Sequence, residues 1–245
     1  MREILSAAVI VPALNEEGNI AALVAEVREA ATTLIGVEIR TICVVDNGST
    51  DGTGAVAASA GAKVVVEPVR GYGRACLSGA IANDDVDLLI FMDGDRSEVP
   101  AEMAEMMAPL LRGEADLVVG SRVRGRIEPG ALSPAQRWGN RFAGWFMFVF
   151  YRVRITDLGP FRAIRRSDLL ALDMQEMTYG WPTEMIARSV RAGLRFEEIP
   201  VTCRRRTAGV SKVSGNLKAS ALTGWRIFNV ILGVRRATLP KLGRH

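Results

Sequence analysis

An Asp-Gly-Asp triplet, Asp93-Gly94-Asp95, closes the apolar run Leu88-Leu89-Ile90-Phe91-Met92. A strand ending in Asp-x-Asp projects two hard oxygen ligands from one tight turn, and Gly94 lets the backbone come close. Such a pair suits Mg or Mn, which prefer carboxylate and phosphate oxygens and keep positions open for substrate phosphates. A metal on Asp93 and Asp95 would neutralise a leaving diphosphate; for the triplet alone, the alternative is a solvated turn. A second acidic turn, Asp46-Asn47-Gly48-Ser49-Thr50-Asp51-Gly52-Thr53, follows Val44-Val45. Its carboxylates can accept hydrogen bonds from a base and a ribose, and Asp51 can equally cap the next helix.

The scarce residue types narrow the chemistry. The one histidine is His245, so a Ser-His-Asp, Cys-His or histidine-metal mechanism is not expected. Cys43, Cys76 and Cys203 stand far apart with no CxxC pair, which suggests neither a disulfide framework nor a zinc knuckle and fits a reducing compartment. The work falls to carboxylates, Arg, Lys, backbone donors or a carboxylate-bound metal. Charge is uneven: residues 204–245 hold ten Lys or Arg and no acid, leaving 21 basic against 27 acidic side chains elsewhere. A basic tail on an acidic body suggests phosphate or an anionic membrane surface, not a nucleic acid.

The elements that position these residues alternate. Ala7 to Val11 is a compact apolar run, after which Ile20, Leu23, Val24, Val27, Ala31 and Leu34 recur at helical spacing. Strands are predicted at Glu38–Val45, Lys63–Glu67, Asp87–Met92 and Asp116–Val119, and helices near 52–60, 71–83 and 100–112. The alternation predicts an α/β fold with a mostly parallel sheet covered on both faces, whose ligands collect at the carboxyl ends of the strands. With 245 residues, 49% hydrophobic and 24% charged, the chain can bury a full core.

Four segments in this order, Val9-Ile10-Val11-Pro12-Ala13-Leu14-Asn15-Glu16-Glu17, Asp46 to Thr53, Asp93-Gly94-Asp95 and Val119-Gly120-Ser121-Arg122, resemble the family 2 inverting glycosyltransferases. The resemblance implies a GT-A fold, a Rossmann-like mixed sheet with helices on both faces. It also implies a nucleotide pocket lined by Pro12, Asn15 or Glu16 and Asp46, with Asp51 nearby, and a diphosphate held through a metal on Asp93 and Asp95. The segment Gly71-Tyr72-Gly73 lacks the third Gly of a dinucleotide fingerprint and follows the third strand. In family 2 a similar segment cradles the nucleotide sugar, making Arg70 and Gly73 candidate donor contacts, with a plain flexible loop as the alternative. Asn47 stands where many members carry a second Asp.

Thr156 to Ile164, Gly180-Trp181-Pro182-Thr183-Glu184, Arg204-Arg205-Arg206 and Ser211-Lys212 resemble the subgroup that glycosylates polyprenyl or dolichyl monophosphates. This chain reads Gly159-Pro160-Phe161-Arg162 where relatives often read Ser-Gly-Phe-Arg, and Asp93-Gly94-Asp95-Arg96-Ser97 where they read Asp-x-Asp-x-Gln, so a third metal ligand is unassigned. A phosphomonoester is largely ionised near neutral pH and can attack a sugar carbon without a strong base. Arg162, Arg204, Arg206 and Lys212 could hold donor and acceptor phosphates; the alternatives are a solvated basic loop and, for Arg162, an ion pair with Asp157. For a hydroxyl acceptor, Glu184 or Asp157 would be the candidate general base.

Phe142 to Tyr151 and Ala219 to Val234 both fall short of a spanning helix. In the second, Leu217, Ala221, Trp225, Phe228 and Leu232 share a face, with Lys218, Arg226, Asn229 and Arg236 on a neighbouring stripe. This resembles an interfacial helix; packing on the catalytic domain or in a homo-oligomer is the alternative. The expectation is a GT-A domain over 1–205 and a basic amphipathic extension over 206–245. It places a cytoplasmic enzyme peripherally at the cytoplasmic face of a membrane, carrying sugar from a nucleotide-sugar donor to a polyprenyl phosphate acceptor. A family 2 enzyme acting on a hydroxyl, a sugar-phosphate nucleotidyltransferase, a nicotinamide oxidoreductase and a noncatalytic lipid-binding module are the competing readings.

Overall fold

The computed structural model describes residues 4–206, 217–236 and 241–242. Two βα units begin the chain: β1 (Leu5–Ala13), α1 (Glu17–Ala31), β2 (Val37–Asp46) and α2 (Thr53–Ser59). Then come β3 (Lys63–Val66), α3 (Tyr72–Ile81), β4 (Leu88–Phe91), a 3-10 turn at Pro100–Glu102, α3's successor α4 (Met103–Leu111) and β5 (Leu117–Ser121). The second half holds α5 (Pro134–Tyr151), β6 (Arg162–Arg165), α6 (Arg166–Ala171), α7 (Trp181–Ala192), β7 (Phe196–Pro200) and α8 (Leu217–Arg236).

Seven strands form one sheet in the order β3-β2-β1-β4-β6-β5-β7. All neighbours run parallel except at β6, which is antiparallel to both β4 and β5. The reversal matters for function. Arg162, the first residue of β6, pairs with Phe91 at the end of β4 and with Val119 in β5. The loop entering β6 therefore lies on the edge where the parallel strands end.

Strand alternation explains the layering. On β1, Ala8 and Ile10 face a core shared with α3, α5, α7 and α8, while Ala7, Val9 and Val11 face α1, α2 and α4. Burial on both faces is why these strands read as continuous apolar runs. Glycine is demanded at Gly79, where a Cβ would lie 2.4 Å from the Ile10 side chain as α3 crosses β1. Ser133 and Gln136 form a reciprocal capping box at the start of α5.

The last helix is not detached. Ile231 and Val234 of α8 are buried against α5 and α7, and Phe146 and Phe228 meet edge to face at 4.9 Å. The side of α8 that packs on the domain is thus not the side that carries Trp225, which stays 64% exposed. Among the described residues no helix is long and apolar enough to cross a membrane. The three cysteines are free and buried.

Candidate active site

The carboxyl ends of β1, β2 and β4 and the loop entering β6 frame a cleft of about 560 Å³. One wall is Pro12, Ala13, Leu14 and Glu16 after β1, with Asn47, Arg70, Gly71 and Tyr72; the opposite wall carries Arg122, Leu158, Pro160, Thr178, Tyr179, Pro182 and Arg206. Asp93, Gly94 and Asp95 lie between them.

The first two turns brace each other. Asn15 adopts φ +52°, a left-handed conformation that Asn tolerates. Its Oδ1 accepts from Thr50 N at 2.8 Å and its own N–H donates to Ser49 Oγ at 3.0 Å. Asp46 accepts from Ser49 N at 2.9 Å. Asp51 accepts from Thr53 N at 3.0 Å and Thr53 Oγ1 at 2.5 Å, so it ties the start of α2; these bonds outweigh desolvation and lower its pKa. Pro12, Glu16 and Arg70 line the cleft, whereas Asn15, Asp46 and Asp51 support its wall. Asn47, which stands where relatives carry Asp, donates to the Glu67 and Val69 carbonyls and accepts from Gly71 N at 2.7 Å. Its amide thereby folds the segment after β3 onto the cleft, a task one carboxylate could not perform because it cannot donate. Gly73 faces away: a Cβ there would meet Glu176 O at 2.4 Å and the Trp181 ring at 2.6 Å, so packing demands the glycine.

The aspartate pair sits in a negatively charged, desolvated turn. Asp93 Oδ1 is buried with no hydrogen-bond partner among the described residues. Burial and the adjacent Asp95 push the Asp93 carboxyl up to about 7, opposed by the nearby Tyr72 hydroxyl and then by Arg122 and Arg206. Asp95 accepts from Ser97 N at 2.9 Å and pairs with Arg206 at 2.5 Å. Glu98, not anticipated, accepts from Asp93 N at 3.1 Å and Ser97 Oγ at 3.0 Å; burial and then the charges of Asp93 and Asp95 raise its pKa well above the ordinary value. Among the described residues no group of three or more His, Cys, Asp or Glu could cage a metal. An orphaned carboxylate oxygen beside a second carboxylate still fits Mg or Mn, which complete their shells with phosphate and water oxygens.

The cationic residues divide sharply. Arg122, visible in the sequence only as the end of Gly120-Ser121-Arg122, is the one that reaches the cleft from β5. The fully buried Asp157 holds it, accepting from Arg122 N, Nε and Nη2 at 2.9, 2.7 and 2.8 Å and from Asn140 at 2.6 Å. Burial alone would lower the Arg122 pKa, but Asp157 outweighs it. Arg162 does not pair with Asp157 and does not line the cleft. Its fully buried guanidinium donates to the carbonyls of Gly159, Pro182 and Leu158, and burial lowers it to about 10. It pins the loop before β6 to the start of α7. Arg204 pairs with Glu26 at 3.0 Å on α1, and Arg96 pairs with the same carboxylate. Glu184 is buried as well, accepting from Gln175 N, Glu176 N and Arg188 Nε at 3.0, 2.7 and 2.7 Å. Lys212 lies outside the described residues.

Comparison with known proteins agrees with this geometry. The family model for glycosyl transferase family 2 matches residues 8–172. An uncharacterized glycosyltransferase of Mycobacterium tuberculosis is 36% identical over 224 residues, covering 91% of this chain and 96% of that protein. Polyprenol monophosphomannose synthase of Mycolicibacterium smegmatis is 30% identical over 228 residues, covering 85% and 81%. Undecaprenyl-phosphate mannosyltransferase of Micrococcus luteus is 29% identical, covering 87% and 89%. Among solved structures, glucosyl-3-phosphoglycerate synthase from Mycobacterium tuberculosis, in complex with Mn2+, UDP and glucosyl-3-phosphoglycerate, superposes with a TM-score of 0.73 at 21% identity, covering 96% of this chain and 81% of that one. That likeness establishes a shared GT-A fold. From the Asp93-x-Asp95 turn on its parallel sheet edge, and from a family match spanning most of the chain, it follows that this protein belongs to glycosyl transferase family 2.

Proposed function

We propose that the protein moves a sugar from a nucleoside diphosphate donor, GDP- or UDP-linked, to a polyprenyl monophosphate at a membrane surface, inverting the anomeric carbon. The observation that carries the acceptor class is the commitment of both candidate bases. Asp157 is consumed by Arg122 and Asn140, and Glu184 by Arg188 and two backbone N–H groups. Neither lines the cleft, which instead presents Arg70, Arg122 and Arg206. An alcohol must lose its proton during transfer, whereas a phosphate is already ionised and needs cations to hold it. The names of the mycobacterial and Micrococcus relatives support the same class.

In this reading the sequence around Pro12, Asn47 and Arg70 receives the nucleoside. Asp93 and Asp95 would hold a divalent Mg or Mn ion, which supplies charge neutralisation of the departing diphosphate. Arg122, fixed by Asp157, and Arg206 hold anionic oxygens of donor and acceptor. The acceptor oxygen attacks the face of the sugar opposite the leaving group. Arg162 and Glu184 keep the loops around the cleft in place, and the side of α8 that carries the exposed Trp225 faces the membrane.

Single-turnover transfer with radiolabelled nucleotide sugars, purified protein and a polyprenyl phosphate tests this. Label should enter the lipid phase. Transfer to water-soluble alcohols with no lipid-phase product from any common donor overturns the acceptor class and leaves the family intact.

A further inference from the structure

Helix α5 carries an exposed stripe that the cleft does not explain. Trp138, Phe142, Trp145 and Val149 follow each other at i, i+4, i+7 and i+11, hence on one face, and are 74%, 50%, 58% and 41% exposed. Its other face is buried through Asn140, Ala143 and Met147. The stripe continues across to α8 through aromatic contacts: Phe142 to Phe146 at 4.5 Å, Phe146 to Phe228 at 4.9 Å and Phe228 to Trp225 at 5.7 Å. Three of the four tryptophans therefore sit on one exposed surface.

Charge says what covers it. Residues 129–156 contain no acid, and neither does α8. Exposed Arg137 and Arg141 flank the stripe on α5, and exposed Arg235 and Arg236 lie on α8, where Arg226 pairs with Glu176 at 3.0 Å. Aromatic side chains bordered by arginines, with no carboxylate on either helix, match the headgroup region of an anionic leaflet, where indole rings settle and basic side chains snorkel. A second copy of the same face would bring arginines against arginines.

We propose that α5 and α8 together form a docking face for an anionic lipid bilayer, with α5 the principal contact. This rests on the membrane-acceptor reading for its consequence alone. Trp225 also borders a groove of about 830 Å³ between α7, α8 and residues 175–180, and Thr178 and Tyr179 line both that groove and the cleft. The docked face thus opens toward the site of transfer.

The test is sedimentation of the full chain with phosphatidylcholine vesicles, with and without phosphatidylglycerol, at low and high salt. Wild type should partition onto the anionic vesicles, less so as salt rises. Arg137→Gln with Arg141→Gln should weaken partition about 30-fold, from the usual attraction of two basic side chains to an anionic leaflet. Trp138→Ser with Trp145→Ser should weaken it on both lipid mixtures. All four positions are exposed, and an unchanged circular dichroism spectrum establishes folding. Partition equal to wild type in both variants overturns the proposal, as does a dimer in sedimentation velocity that the tryptophan substitutions dissolve without changing partition. Lipid-phase product without α5-dependent partition would sink the docking face and leave the transfer reading standing. Partition dependent on α5 without lipid product would do the reverse.

Discussion

Asp93→Asn should stabilise the metal-free protein while abolishing transfer. Burial and the like charge of Asp95 hold the Asp93 carboxyl at about 7, against an ordinary value of 3.8. Below pH 4 folded and unfolded chains both carry the proton. Between 4 and 7 the unfolded chain releases it while the folded chain retains it, so stability falls as pH rises, and above 7 the penalty is constant. At about 1.4 kcal/mol per pH unit, the gap corresponds to up to about 4 kcal/mol. For a chain of this size that is a difference of about 8–16 °C in Tm. Scanning calorimetry of wild type and Asp93→Asn in chelator, from pH 4 to 8.5, reads it as a difference in which shared titrations cancel. The variant should gain on wild type as pH rises and hold a constant lead above 7. Adding Mn2+ should then raise the wild-type Tm and leave the variant unmoved. A variant less stable than wild type at pH 8, or a gap that narrows with rising pH, refutes the electrostatic account of the aspartate pair.

Three substitutions separate cations and carboxylates that look alike in the sequence. Arg206→Gln, at the cleft, should lower acceptor kcat/KM about 10- to 100-fold, the worth of a charge-assisted hydrogen bond; Arg204→Gln, paired with Glu26, should leave transfer within about twofold and cost under about 1 kcal/mol in urea melts. Glu184→Gln strands the buried Arg188, 7% exposed, and should cost about 3–5 kcal/mol of stability. Its single-turnover rate per folded molecule should nevertheless stay within about tenfold of wild type, because a lost general base would cost about 10²- to 10⁴-fold.

The first half of the sheet was legible because its signals are local. Burial on both faces makes residues 7–11 of β1, residues 42–45 of β2 and all of β4 uninterrupted apolar runs, and each is followed by a polar turn that the chain's own order places on the ligand edge. The predicted strands Glu38–Val45 and Asp87–Met92 fall within a residue or so of β2 and β4. The strands β6 and β7 carry no such run. Arg162-Ala163-Ile164-Arg165 is four residues long with an arginine at each end, and only its place between β4 and β5 makes it a strand. Nothing local announces an antiparallel insertion, because the partners that define it lie more than 40 residues away.

The same distance separates what the sequence offers as chemistry from what the cleft presents. An arginine in a sequence reads as a free cation, yet a guanidinium has five donors, and whichever carbonyls or carboxylates the fold supplies first will fix it. Leu158, Gly159 and Pro182 surround Arg162, so its charge serves the loop; Asp157, 35 residues beyond Arg122, holds that guanidinium by two side-chain bonds and leaves it lining the cleft. Asp157 and Glu184 stand in the sequence as candidate bases, yet in the fold both are buried and their oxygens accept from Arg122, Asn140, Arg188 and backbone N–H groups, as buried carboxylates require. Asp93 is the exception, with one oxygen unmatched and its pKa driven upward. An unsatisfied buried carboxylate oxygen is destabilising, and that same deficit is what a divalent cation and a diphosphate would fill.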